Sequence, residues 1–314
     1  MTGVIIGVIV IAAIIAYLII TFTIAKVFSR LIFAPPVKVR PTREMVEKNQ
    51  VKEFASNHSM YAGADYKAYD LWETEQICLE NKGAVIPAEF HPVPGARGCV
   101  ILAHGFGQNR YAMVSYAEIY RKLGFSTVLF DERCFGESTA DHGTFGDLEA
   151  TDIEALIRWI KERCGSEIRI VLHGVSMGAM SCMNAMKLSR DIDYVIEDCG
   201  PARAYDGIRH VAYSMIPVPN PFLMPLVERT AKKLGTDIRK NNPVDAVAAS
   251  KVPVCIIHGD ADTAVDVHCA EEIFQASQNK QSRIEIFHGR GHAYSICDHD
   301  RYEAVVNDFL KELQ

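Results

Sequence analysis

Gly174-Val175-Ser176-Met177-Gly178 constrains this chain more than any other stretch, because it falls between a strand-like run and a helix-like run. Ile168 to His173 reads Ile-Arg-Ile-Val-Leu-His, the pattern of a short buried strand, and Met177 to Leu188 is rich in Ala, Met and Leu, the pattern of a helix. A strained turn between two such elements needs small flanking residues, so that the backbone can close tightly and lift the serine hydroxyl clear. Ser176 then stands at a helix N-terminus, where oriented N–H groups favour developing negative charge. The pentapeptide alone is a weak signal; its position between the two elements gives it weight.

A serine hydroxyl is a poor nucleophile at neutral pH unless a histidine takes its proton, and that imidazole needs a carboxylate to set its tautomer. Both partners are available. After the strand-like Val252 to His258, the turn Gly259-Asp260-Ala261-Asp262 offers an acid, and after Ile284 to Phe287, Gly289-Arg290-Gly291-His292 offers a base. Asp260 and Asp262 compete for the first role, with Asp198, at the end of the strand-like Tyr194 to Glu197, a more distant third. His104, His173 and His258 each end a strand, which points to packing or loop bracing. His288 and His292 have a spacing that on a helix could hold zinc, but Gly289 and Gly291 between them argue against a helix, so no metal site is expected. Gly105-Phe-Gly107 and Gly289-Arg-Gly291 begin dinucleotide patterns without the third glycine, so no cofactor is expected either.

The chain order Ser, Asp, His matches the α/β-hydrolase order and neither common serine protease order. From about Trp72 to its end the chain resembles the α/β-hydrolase superfamily. The landmarks are His104-Gly105-Phe106 after the strand Cys99 to Ala103, Asp131-Glu132-Arg133 through Gly136-Glu137-Ser138, the serine turn, Gly259 to Asp262, and Gly291-His292. Thr144-Phe145-Gly146 through Glu149 and Asp152 also resembles a bacterial serine hydrolase subgroup that is often membrane-anchored. The resemblance implies Ser176 as nucleophile, His292 as general base and then acid, Asp262 as orienting carboxylate, and the backbone N–H groups of Phe106 and Met177 as oxyanion hole. The Met177 donor has an independent argument, since an N–H that opens a helix has no intrahelical partner. Cys134 departs from the glycine common in relatives and is expected to reshape its loop while leaving the chemistry intact.

Strand-like and helix-like runs alternate through the body. Trp72 to Glu80 and Ala84 to Phe90 read as a leading hairpin, followed by Cys99 to Ala103, a helix near Met113 to Leu123, the strand Ser126 to Phe130 and a helix near Leu148 to Cys164. Such alternation predicts an α/β fold, a mostly parallel central sheet with helices on both faces, with the reactive groups outside the carboxyl ends of the strands. The core is expected over 71–198 and 251–314. Between them the alternation lapses, predicting a small helical cap over 199–250, with Met215, Phe222, Leu223 and Met224 lining an acyl pocket or touching lipid.

Gly3 to Ala25 is uncharged and mostly Ile, Val, Ala and Leu; its 23 residues reach ~34 Å as a helix, enough to cross a bilayer core of ~30 Å. No basic region precedes it and no Ala-x-Ala site closes it, so residues 1–25 read as an uncleaved transmembrane anchor rather than a signal peptide. Lys26, Arg30, Lys38, Arg40 and Arg43 then make a basic juxtamembrane segment opening a linker over 26–70, and by the positive-inside tendency the body faces the cytoplasm. Nine scattered cysteines, without Cys-x-x-Cys spacing, fit a reducing compartment, which would leave the acceptor Asn57-His58-Ser59 unglycosylated. The chain carries −6 and the segment through Arg43 carries +5, leaving −11 on the rest, a poor surface for nucleic acid. Gly3 and Gly7 have a helix-pairing spacing at the extreme end of the span, so the oligomeric state stays open.

Taken together these features predict a membrane-anchored serine hydrolase acting on small-molecule or lipid-like carboxylic esters. An acyl peptidase, thioesterase or acyltransferase could use the same three residues, and a catalytically silent scaffold is the non-enzymatic alternative.

Overall fold

A computed structural model describes residues 2–56, 63–216 and 218–311. Asn57-His58-Ser59 lies outside them. In chain order the helices and strands are α1 (Thr2–Leu31), α2 (Arg43–Ser56), α3 (Tyr66–Tyr69), β1 (Glu75–Asn81), β2 (Ala84–His91), β3 (Cys99–Ala103), α4 (Val114–Lys122), β4 (Ser126–Phe130), α5 (Asp147–Cys164), β5 (Ile170–Val175), α6 (Met177–Ala185) and β6 (Tyr194–Asp198). There follow α7 (Ala204–Met215), α8 (Leu223–Lys233), α9 (Pro243–Ala249), β7 (Val254–Gly259), α10 (His268–Ala276), β8 (Arg283–Phe287) and α11 (His299–Phe309).

The eight strands form one sheet in the order β1-β2-β4-β3-β5-β6-β7-β8, parallel from β4 onward, with the β1–β2 hairpin antiparallel at one edge. Every residue of β3, β4, β5, β6 and β7 is buried, as an apolar strand requires when helices cover both faces. The period of two divides their side chains. Ile101, Val128 and Leu172 join Ile153 and Leu156 of α5 and Met183 of α6 on one face, while Val100, Leu102, Leu129 and Val171 join Tyr120 of α4 and Val306 of α11 on the other.

Three boundaries differ from the sequence reading. α1 does not stop at Ala25 but runs to Leu31, because Ala25, Phe28, Ile32 and Phe33 bury themselves against Leu223, Met224, Val227 and Ala231 of α8 while Lys26 and Arg30 remain exposed. The segment 26–70 is not a bare linker: α2 and α3 dock on the body, with Gln50 Nε2 donating to Ala112 O at 2.6 Å and Tyr66 donating to Gln50 Oε1 at 2.6 Å. α2 has no apolar stripe to announce that docking, since polar bonds carry much of it. Of the insertion 199–250, α9 packs against α6 and α10 and belongs with the core, so the cap proper is α7 and α8.

The close crossing of α6 over β3 sets how tightly the centre can pack. A Cβ on Gly178 would sit 2.2 Å from the carbonyl oxygen of Ala103, so this position accepts no side chain without moving backbone. Gly178→Ala is therefore expected to destabilise the body by about 3 kcal/mol or more, read as a lowered melting temperature of the detergent-solubilised protein.

Candidate active site

β5 runs through Val175, where it pairs with Asp198 of β6, so the chain leaves the sheet centre directly at Ser176. Ser176 adopts φ +55°, ψ −113°, a left-handed turn conformation uncommon for a residue with a side chain, and its N–H donates to Asp198 O at 2.8 Å. A Cβ on Gly174 would lie 2.2 Å from Gly178 O, which explains why both flanks are glycine. Ser176 caps α6, so the Met177 N–H that opens the helix has no partner inside it.

His292 follows β8 and brings Nε2 to 2.9 Å from Ser176 Oγ, while its Nδ1 lies 2.7 Å from Asp262 Oδ2. The carboxylate assigns the Nδ1–H tautomer, leaving Nε2 to accept from the serine hydroxyl. Asp262 Oδ1 accepts from the backbone N–H groups of Ala264 at 2.7 Å and Val265 at 2.9 Å. Burial opposes its charge, but hydrogen bonds from His258 and His292 outweigh that and hold its carboxyl well below the usual range.

The alternatives separate in space. Asp260 is tied to His288 at the surface, its Oδ2 2.7 Å from Nδ1, while Asp198 is fully buried and accepts from Tyr302 at 2.8 Å. Burial pushes Asp198 up to about 6, partly offset by that hydrogen bond. The strand-ending histidines brace. His104 Nδ1 donates to Gly105 O at 2.8 Å and Nε2 accepts from Glu132 N–H at 3.0 Å, tying down the loop that carries Phe106. His173 lies between Tyr120 at 2.7 Å and Tyr302 at 3.1 Å, and burial lowers it to about 3, so it is neutral. His258 Nε2 donates to Val265 O at 3.0 Å and lies 3.3 Å from Asp262 Oδ2, which ties β7 to the Asp262 turn.

Ser176 and His292 open onto a cavity of about 490 Å³. Phe106 and Met177 flank the serine there; Phe106 is 45% exposed and stacks on Phe145, ring centroids 5.7 Å apart. Ala204, Ile208 and Val211 of α7 make one wall, and Ile32 with Asn49, Gln50 and Glu53 of α2 makes another. The four cap residues named from sequence are not in it. Leu223 and Met224 are buried against α1, Phe222 faces Phe22, and Met215 is 67% exposed. The amphipathic stripe of α8 turns to the N-terminal helix, leaving α7 to face the site.

Sequence reasoning missed the α2 wall, whose polar residues carry no pattern, and the α7 wall, whose spacing of three to four residues was available. It also missed Cys199, at φ +51°, whose Sγ lies within 4.8 Å of a carboxylate oxygen of Asp262 and a ring nitrogen of His292. Burial raises that thiol well above its ordinary range, keeping it neutral. Cys134 takes φ +67°, a conformation glycine holds without strain, and its thiol donates to Ala140 O at 3.5 Å.

Residues 94–244 match a family model described as serine aminopeptidase, S33. An esterase of Pyrococcus furiosus superposes with a TM-score of 0.65 at 23% identity, over 80% of this chain and 95% of that one. The chain has the α/β-hydrolase fold. The chain is also 24% identical to the uncharacterised YqkD of Bacillus subtilis over 78% of its own length and 84% of the relative's. It is 24% identical to the uncharacterised YfhR of Escherichia coli (strain K12) over 83% and 88%.

The depressed carboxyl of Asp262 links to pH with a definite sign. Its stabilisation is present above the ordinary aspartate value of 3.8 and is lost as pH falls through the lower folded value. Thermal melts of the parent and Asp262→Asn should therefore differ most near neutrality and converge as the medium is acidified below about 4.

Proposed function

We propose that this hydrolase is a serine esterase that cleaves carboxylic esters with hydrophobic acyl groups through an acyl-enzyme. The reading rests on one observation: Ser176 Oγ lies 2.9 Å from His292 Nε2, with Asp262 behind it, at a cavity walled largely by apolar side chains. Ser176 attacks the ester carbonyl as Nε2 takes its proton. The oxyanion is received by the N–H groups of Met177 and Phe106, each such donor lowering the barrier by ~3–4 kcal/mol. The imidazolium then returns the proton to the leaving alkoxide, and a water activated by His292 hydrolyses the acyl-enzyme.

In this reading α1 spans the membrane, being long and apolar enough to do so. Lys26 and Arg30 near its C-terminal end, with Lys38, Arg40 and Arg43 just after it, hold the body on the cytosolic side. A maleimide that cannot cross membranes is accordingly expected to label the exposed Cys78 and Cys164 only after permeabilisation of intact cells.

Peptide cleavage is the second reading, favoured by the matched aminopeptidase family and by Glu53, a carboxylate in the cavity wall that suits a substrate amine. Aminoacyl anilides assayed beside p-nitrophenyl esters of graded length separate the two.

Ser176→Ala should abolish fluorophosphonate labelling and lower kcat by ~10⁶, and Asp262→Asn should lower it by ~10⁴. Ile208→Trp, which fills the α7 wall, should cut turnover of long acyl esters while sparing acetate esters; an unchanged length profile would remove the acyl-pocket assignment.

A further inference from the structure

We propose that the tip of the cap, Val218 to Phe222, is a second element embedded in the membrane, clamped to the side of α1. The proposal rests on the reading of α1 as a span, and follows from where along α1 the tip is attached. Tyr17 donates to the carbonyl of Pro219, Asn220 Nδ2 donates to Thr21 O at 2.8 Å, and the Phe222 ring meets Phe22 edge-on with centroids 5.6 Å apart. Lys26 is the first charged side chain on the helix and marks where it leaves the hydrocarbon. The three attachment points precede Lys26 by four to nine residues, which at ~1.5 Å each is ~6–14 Å along the axis. A tip bonded there enters the bilayer with the helix.

Its chemistry suits that depth. From Val211 to Val227 the chain has no acidic or basic side chain. Pro219 and Pro221 bring no N–H, and the Asn220 amide is satisfied within the protein, Oδ1 accepting from Phe222 N–H at 3.1 Å while Nδ2 serves Thr21. Paired polar groups are what hydrocarbon demands of a non-helical backbone. The outward side is apolar: Val218 is 46% exposed, Met215 just before it is 67% exposed, and Phe222 shares a groove with Ile15, Leu18 and Ile19 of α1. The occupant that covers this surface is lipid acyl chain. Because α7 carries Ala204, Ile208 and Val211 on the cavity wall and ends at Met215, the same helix joins the cavity to the bilayer.

The test uses the full chain in phosphatidylcholine vesicles with and without bromine on the acyl chains. Tryptophan is placed at the tip by Val218→Trp and, separately, in the span by Ile11→Trp, with the parent protein supplying the background of Trp72 and Trp159. The added emission of both variants is expected to lie to the blue of a water-exposed indole and to be lost on brominated lipid. Quenching of Ile11→Trp with unquenched, red-lying emission from Val218→Trp would overturn the tip assignment and keep the span. Emission unquenched in both variants would overturn the span and the tip with it.

Discussion

The backbone at Ser176 is the point on which the rest of the site depends. A residue with a side chain is held at φ +55° because its N–H is tied to Asp198 O on the neighbouring strand and because Gly174 and Gly178 let three chain segments approach closer than any Cβ would permit. That turn aims Oγ away from the sheet and toward the β8 side. Parallel strands β5, β7 and β8 end together, so His292 and Asp262 arrive at the same edge although 30 residues separate them, and Ser176 lies 116 residues from His292. Strain at one residue is thus maintained by close packing across the centre of the sheet.

Around this centre the buried polar groups form braces with defined proton positions. Tyr120, His173, Tyr302 and Asp198 make one chain of hydrogen bonds beneath the sheet edge, and His104 with Glu132 makes another beside the serine loop. Each fixes a strand end, the element whose displacement would most disturb the alignment of Ser176, Asp262 and His292. Glu149 works similarly, accepting from Thr144 N–H, Thr144 Oγ1 and Gly146 N–H at 2.6 to 2.9 Å, which shapes the loop carrying Phe145 to the cavity. The subgroup-like stretch 144–152 is therefore a loop brace beside the site rather than a source of reacting groups.

Much of the fold was legible because the core strands are apolar on both faces and their ends are marked by glycine-rich turns. The three residues drawn together at the sheet edge were legible through chain order and turn chemistry, and geometry separates Asp262 from Asp260 by the direction each side chain takes from one turn. What could not be read was partner choice between amphipathic helices. The proline-broken run from Met215 to Leu226 is apolar in sequence whether it faces a substrate or another helix, and only the docking of α8 on α1 sends Leu223 and Met224 away from the serine. The polar helix α2 gave no periodic signal, since Gln50 is fixed by hydrogen bonds to Ala112 and Tyr66 rather than by a stripe.

Ile32, Asn49, Gln50 and Glu53 make the N-terminal region part of the cavity and not merely a tether. A soluble fragment beginning near the hairpin β1–β2 would keep the whole sheet and all three converging side chains, yet one flank of its binding chamber would lie open to water. With Ile32, Asn49, Gln50 and Glu53 removed, what that chamber admits would change, and the fragment would be a misleading proxy for the intact protein.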